Sequence, residues 1–203
     1  MAIIEVVSDV VCPWCFIGKR RLEKALAILG KPQTEVRWKP FQLNPSAPKE
    51  GMDRQEYRAR KFGSAAKSKE LEDRVAASGA EDGIHFRFDE IERTPNTFDA
   101  HRLIWQAGQQ GDQNALVENL FQAYFLNGQD IGAPEVLQEI AKQSGVNFPS
   151  ENQGVREVAA EEDNARRHGI SGVPTFFVNG NLITSGALKP DDLARLLAFN
   201  LNE

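Results

Sequence analysis

The sequence predicts an α/β domain interrupted by a large all-helical insertion. Strand and helix signals alternate at both ends of the chain, and the roughly one hundred residues between them are mostly of helical periodicity. Neither terminal segment has enough strands to complete a sheet without the other. The boundaries follow from where the pattern changes: residues 1–46 and 150–203 make up the α/β part, and residues 47–149 the insertion. A chain of 203 residues is long enough for one such domain with its insertion.

Taken in order, Ile3 to Val7 are apolar and β-branched apart from Glu5, which suits a short buried strand. Ser8 and Asp9 then supply turn chemistry. From Phe16 onward Leu22, Leu26 and Leu29 recur at helical spacing, and Gly30 with Pro32 marks the stop. Glu35 to Leu43 carries Val36, Trp38, Phe41 and Leu43 around Pro40 and reads as a second strand, completing a parallel βαβ opening. Asn44-Pro45-Ser46-Ala47-Pro48 forms the turn-rich boundary of the insertion.

Within the insertion, Asp53 and Glu56 have capping-box spacing ahead of Tyr57 and Phe62. Asn96 or Thr97 can cap a helix through Leu103, Ile104 and Ala107, with Gly111 beyond its end. Leu116, Leu120, Phe121, Tyr124 and Phe125 form a strong apolar stripe closed by Gly128. Pro134 opens a further helix that Gly145 ends. The α/β rhythm resumes with a helix from about Glu151 to His168-Gly169 and a strand from Thr175 to Val178. An Asn179-Gly180 hairpin, a strand from Leu182 to Thr184 and a closing helix from Pro190 to Phe199 complete the chain.

Composition excludes several function classes. Hydrophobic residues at 41% and charged residues at 26% are the balance of a soluble globular enzyme. A formal charge of −5 argues against nucleic acid, which needs a basic face. The densest basic stretch, Lys19, Arg20, Arg21 and Lys24, is interrupted by Glu23 and reads as a solvated helix face. No apolar run approaches the ~20 residues of a membrane span. The N-terminal segment has no basic region followed by an apolar one, so a cytoplasmic location is expected, where thiols are kept reduced.

The two cysteines, Cys12 and Cys15, are the most informative residues. Random placement would put two cysteines three apart only about 1% of the time, so they act as a pair. Pro13 suits the first helical position and places Cys12 at or next to the N-cap. There its sulfur is expected to accept from the N–H groups of Trp14 and Cys15 at the positive end of the helix, which favours thiolate. Cys15, one turn deeper, is shielded and stays protonated. Cys12 is therefore the expected nucleophile and Cys15 the resolving thiol, held at high effective concentration. A zinc site is not expected, because His85, His101 and His168 lie far apart with no ligand spacing. Asp9 can be a turn or capping carboxylate, or the proton acceptor of Cys15. Read by pattern alone, Pro174 is an ordinary strand start.

Together these segments resemble the DsbA family of the thioredoxin superfamily. Ser8-Asp9-Val10-Val11-Cys12-Pro13-Trp14-Cys15-Phe16-Ile17-Gly18 looks like its FrnE-like branch, as do Asn96-Thr97 with Asp99-Ala100-His101-Arg102-Leu103, and Gly172 to Gly180 with Ser185-Gly186-Ala187. The resemblance spans essentially the whole chain and implies a thioredoxin-like fold with a large all-helical insertion domain. It implies dithiol–disulfide exchange by Cys12 and Cys15, with a cis Val173–Pro174 bond facing Cys12. It also implies that Pro13, Trp14, Val173 and Pro174 bind substrate, the backbone of Val173 pairing with a substrate peptide.

Two departures bear on the activity. DsbA has histidine between its cysteines where this chain has Trp14, whose indole carries no charge, so strongly oxidising behaviour is not expected. Thioredoxin and DsbA carry a buried acid where this chain has Val6, which leaves Asp9 as the nearby candidate.

The expected activity is a reductase, isomerase or oxidase of peptide or low-molecular-weight disulfides. No cofactor is expected beyond glutathione as a co-substrate, and no metal. The expected partners are disulfide-containing proteins or small thiols, with thioredoxin or glutathione as redox partner, and the chain can also pair as a homodimer. The first alternative is a glutathione-dependent isomerase or transferase of the 2-hydroxychromene-2-carboxylate isomerase or kappa class. Those relatives typically have serine at the Cys12 position and lack the second cysteine. The second alternative is a chaperone-like binder using the apolar cleft around Trp14, Phe16 and the helical insertion.

Overall fold

Ile4 and Val6 are fully buried on one face of the first strand, β1 (Ile3–Ser8), while Val7 faces the other side of the sheet. The chain in a computed structural model, which describes residues 2–201, continues into α1 (Pro13–Ile28) and β2 (Glu35–Pro40). The insertion follows as β3 (Met52–Asp53), α2 (Arg54–Phe62), α3 (Ala65–Ala80), β4 (Arg93–Thr94), α4 (Phe98–Gln110), α5 (Asn114–Phe125) and α6 (Pro134–Gln143). The chain then returns through α7 (Val155–Arg167), β5 (Thr175–Val178), β6 (Asn181–Ser185) and α8 (Pro190–Asn200).

One four-stranded sheet has the order β2-β1-β5-β6. β1 pairs with β2 in parallel from Ile3 opposite Glu35 to Ser8 opposite Pro40, and with β5 antiparallel through Ile4 opposite Val178. β6 closes a hairpin on β5 around Asn179-Gly180. The two short strands β3 and β4 form a separate antiparallel ribbon.

Two boundaries differ from the sequence expectation. The second strand stops at Pro40 rather than Leu43, because after Phe41 N–H donates to the Ser8 carbonyl (3.1 Å) the chain turns away. α1 begins at Pro13 with Cys12 as its N-cap, as expected. The helix expected from Glu151 starts at Val155. Gln153 N–H donates to the Ser150 carbonyl (3.1 Å), and Ser150 N–H donates to the Gln153 side chain (3.0 Å). Gly154 follows at φ +74°, against the Trp105 ring, and this turn delays helix entry.

A single cluster of buried side chains runs from Ile4, Val6 and Phe176 in the sheet through α1 to Leu120, Phe121 and Leu137 in the insertion. Phe16 of α1 is its centre, stacked on Phe121 with ring centroids 5.0 Å apart and meeting Phe86 edge-on at 6.1 Å.

Half of the basic stretch of α1 departs from the solvated face expected of it, while Lys24 is exposed and Arg20 partly so. Lys19 and Arg21 are each only 3% exposed. Lys19 Nζ pairs with Glu118 of α5 at 2.8 Å. Arg21 Nε pairs with Asp82 at 2.6 Å, while Nη1 of the same guanidinium donates to the Ala187 carbonyl and Nη2 to the Ser78 hydroxyl. Acids on the insertion draw these cations inward, and sequence spacing within α1 cannot show partners 61 and 99 positions away.

The outer edge of β2 is covered: Trp38 N–H donates to Gln113 Oε1 (2.7 Å) and its indole N–H to Asn114 Oδ1 (2.8 Å). Among the described residues no helix is long and apolar enough to cross a membrane.

Candidate active site

The end of β1 and the start of α1 bring Asp9, Cys12 and Cys15 together. The Asp9 carbonyl accepts from Cys12 N–H (3.0 Å), forming the tight turn between strand and helix. Cys12 is the N-cap of α1 in extended conformation, with Pro13 at the first helical position. Its carbonyl accepts from Cys15 N–H (3.0 Å).

The expected amide contacts to sulfur do not form, since Cys12 makes no side-chain cap hydrogen bond. Its thiol instead donates to the Val173 carbonyl at 3.7 Å. A protonated thiol has a hydrogen to give, and a carbonyl takes it where an N–H cannot. Cys12 is also less open than a surface nucleophile, at 5% exposure. Access runs through a cavity of about 480 Å³ that Cys12 lines together with Pro13, Trp14 and Val173.

Cys15 is fully buried. Burial pushes its thiol well above the usual range, and the neighbouring Cys12 thiol adds to the effect, with Ser8 and the Asp9 backbone opposing it. Both thiols are free. The Val173–Pro174 peptide is cis. Pro174 lies against α1 at Gly18, where an added Cβ would sit 2.8 Å from its Cγ, so glycine permits the approach of helix and loop.

Asp9 is fully buried. One oxygen accepts from Leu43 N–H at 2.8 Å, and the other lies 3.5 Å from Nε2 of His101 on α4. Trp14 is 39% exposed at the cavity.

The far wall comes from the insertion, whose individual residues sequence reasoning had not assigned to the site. Arg54 and Arg58 share Glu72, at 2.6 and 2.9 Å. Tyr124 donates to the Arg93 carbonyl (3.1 Å), and burial pushes its hydroxyl up to about 12. The cavity is lined by four cations, Arg54, Arg58, Lys61 and Arg74, and by two carboxylates, Asp9 and Glu72. His101 was legible only as part of a family-like segment. No local pattern tied Arg54 or Arg58 to the cysteines. Among the described residues no group of three or more His, Cys, Asp and Glu could hold a metal ion.

A reduced dithiol at the start of a helix, opposite a cis-proline loop on a four-stranded sheet, defines a thioredoxin-like fold carrying a helical insertion. Residues 3–198 match the DsbA-like thioredoxin domain, and the chain belongs to that family of thiol–disulfide oxidoreductases. It is 28% identical over 193 residues to the uncharacterized protein YwbO of Bacillus subtilis, covering 92% of this chain and 91% of that one. A probable DsbA oxidoreductase of Streptomyces coelicolor, SCO1869, superposes with a TM-score of 0.88 at 29% identity, covering 100% of this chain and 91% of the other. The cytosolic disulfide reductase DsbM of Pseudomonas aeruginosa, solved with glutathione, shares the fold at 17% identity with a TM-score of 0.63, covering 99% and 100% of the two chains.

Proposed function

We propose that the protein is a dithiol–disulfide oxidoreductase of the FrnE-like branch, working as a reductase or isomerase against a reduced thiol pool, with glutathione as co-substrate. The observation that carries this is the Cys12 thiol aimed across the cavity at the Val173 carbonyl, with Cys15 sealed behind it. A substrate disulfide entering the cavity meets Cys12 first. Attack by Cys12 forms a mixed disulfide, breaks the substrate sulfur–sulfur bond and releases the first substrate half, which leaves with the proton lost from Cys12. Cys15 then attacks Cys12, forming the Cys12–Cys15 disulfide and releasing the second. The cavity's excess of cations suits a small thiol bearing carboxylates such as glutathione, and DsbM, which shares the fold, is named a cytosolic disulfide reductase and was solved with glutathione. A nucleophile reached only through a cavity favours small disulfides and extended peptides over folded domains. In this reading Pro13 and Trp14 shape the opening, Pro174, buried against Gly18, holds the loop in place, and the Val173 backbone pairs with the substrate.

Cys12→Ser is expected to reduce insulin-disulfide reduction to background, while Cys15→Ser traps substrate on Cys12, visible by mass spectrometry. Full activity in Cys12→Ser would overturn the reading. Equilibration with glutathione buffers gives the direction of electron flow, since ~30 mV shifts a two-electron equilibrium about tenfold.

A further inference from the structure

A second cavity, of about 760 Å³, opens beside the outer edge of β2 under α4 and shares no lining residue with the substrate cavity. Ser8 and His101 both line it. They are 4% and 3% exposed, and Ser8 Oγ and His101 Nε2 are buried atoms held by no hydrogen bond among the described residues. The third such atom here is Asp9 Oδ1, 3.5 Å from His101 Nε2. Leaving a buried polar atom unmatched is destabilising, so three of them beside a redox pair call for a use. Ser8 also lies against the Cys15 thiol, on the side away from substrate. A cavity of this volume has room for many waters at about 30 Å³ each.

Resting on the dithiol reading above, we propose that His101 is the proton acceptor for Cys15, reached through the Ser8 hydroxyl, and that the proton leaves by this second cavity. When a substrate half is bound to Cys12, Cys15 must lose its proton to attack. The Cys15–Cys12 sulfur bond forms, the Cys12–substrate sulfur bond breaks, and the electron pair leaves on the substrate thiolate. The Cys15 proton passes by way of Ser8 to His101 Nε2, where the Asp9 carboxylate faces the imidazolium, and then to water. No outside oxidant or reductant takes part.

The other charged groups around α4 are engaged elsewhere. Lys39 pairs with Glu161 and Glu5, Arg166 with Glu162, and Arg102 with Asp99. Asp9 is thus the carboxylate facing the imidazole. The arrangement separates the two traffics: substrate enters from the Trp14 side, and the proton leaves behind the sheet.

Reaction with 5,5′-dithiobis(2-nitrobenzoate) tests this, because attack by Cys12 releases the first coloured thiolate and resolution by Cys15 the second. In His101→Gln and in Ser8→Ala, the first phase should stay within twofold of wild type and the second should slow at least tenfold. The slowed second phase should then rise about tenfold per pH unit, as direct deprotonation by hydroxide takes over. Added imidazole, entering by the second cavity, should restore the second phase of His101→Ala. Second phases at wild-type rate in both first variants would overturn the proposal. So would a slowed phase that imidazole leaves unchanged, since that assigns His101 a merely structural role. A wild-type protein lacking any second phase would instead refute the dithiol reading itself.

Discussion

Asp9 shows how a single buried carboxylate joins two segments distant in sequence. Its acceptance from Leu43 N–H ties the chain leaving β2 to the end of β1, next to the cysteines. Asp9→Ala leaves that N–H unmatched and is expected to lower stability by about 1–3 kcal/mol, read as a fall in the urea midpoint with unchanged slope. An unaltered midpoint would mean that Leu43 finds another partner. Much at this scale was legible in the sequence. Cys12, Cys15 and Pro13 act through local spacing, and spacing is what a sequence displays. The direction of the Cys12 thiol was not legible, because its acceptor is the Val173 carbonyl, 161 positions away. For the same reason Asp9 read as either a turn residue or a proton acceptor, with His101 as a facing partner out of sight.

α1 is the element on which the site depends, since it carries both thiols and touches the cis-proline loop and the insertion. Gly18 is the point of closest approach to Pro174. Gly18→Val is expected to push Pro174 away from the helix, lowering stability by about 1–3 kcal/mol and slowing exchange at Cys12. Disulfide-reduction rate and thermal melting, measured together, check both parts. Phe16, one residue beyond Cys15, fills the core between Phe121 and Phe86. Phe16→Ala is expected to cost about 3–5 kcal/mol, measured by urea unfolding. Helix existence was read well from apolar periodicity in α1, α4, α5 and α6. Helix starts were read well where a proline opens the helix, as at Pro13, Pro134 and Pro190, and less well where a turn delays entry, as before Val155. The long helix α3 and the β3/β4 ribbon had no such signal, because α3 buries few side chains and the ribbon has two residues per strand.

At the scale of the whole molecule, the Arg21–Asp82 pair fastens α1 to the turn after α3, with Ala187 beside α8 held by the same guanidinium. Burial alone would raise the Asp82 carboxyl, but Lys24 and Arg21 outweigh it and hold it below the ordinary carboxylate range. The folded protein therefore binds fewer protons here than the unfolded chain in acid. This stabilisation is fully present above the unfolded carboxyl value, about 3.9, and is lost as pH falls through the lower folded value. Asp82→Asn is expected to lower stability by about 3 kcal/mol at neutral pH, because Arg21 stays buried without its counter-charge. Its stability should also fall less than that of wild type on acidification below pH ~4, as urea unfolding across that range will show. The inward turn of Lys19 and Arg21 escaped sequence reading because their acids lie in the insertion, and only the assembled fold shows that the two parts share one core.

The Gln113 amide seated on the Trp38 N–H leaves the two flanks of the sheet unlike each other. A foreign strand approaching the β2 flank would have to evict a side chain that already imitates a neighbouring backbone, and Asn114 reinforces it on the indole. Among the described residues β6 lies at the other flank and pairs with β5 alone. Lateral growth of the sheet, whether in a pair of molecules or in a misfolded stack, is therefore directed to one side, away from the thiols.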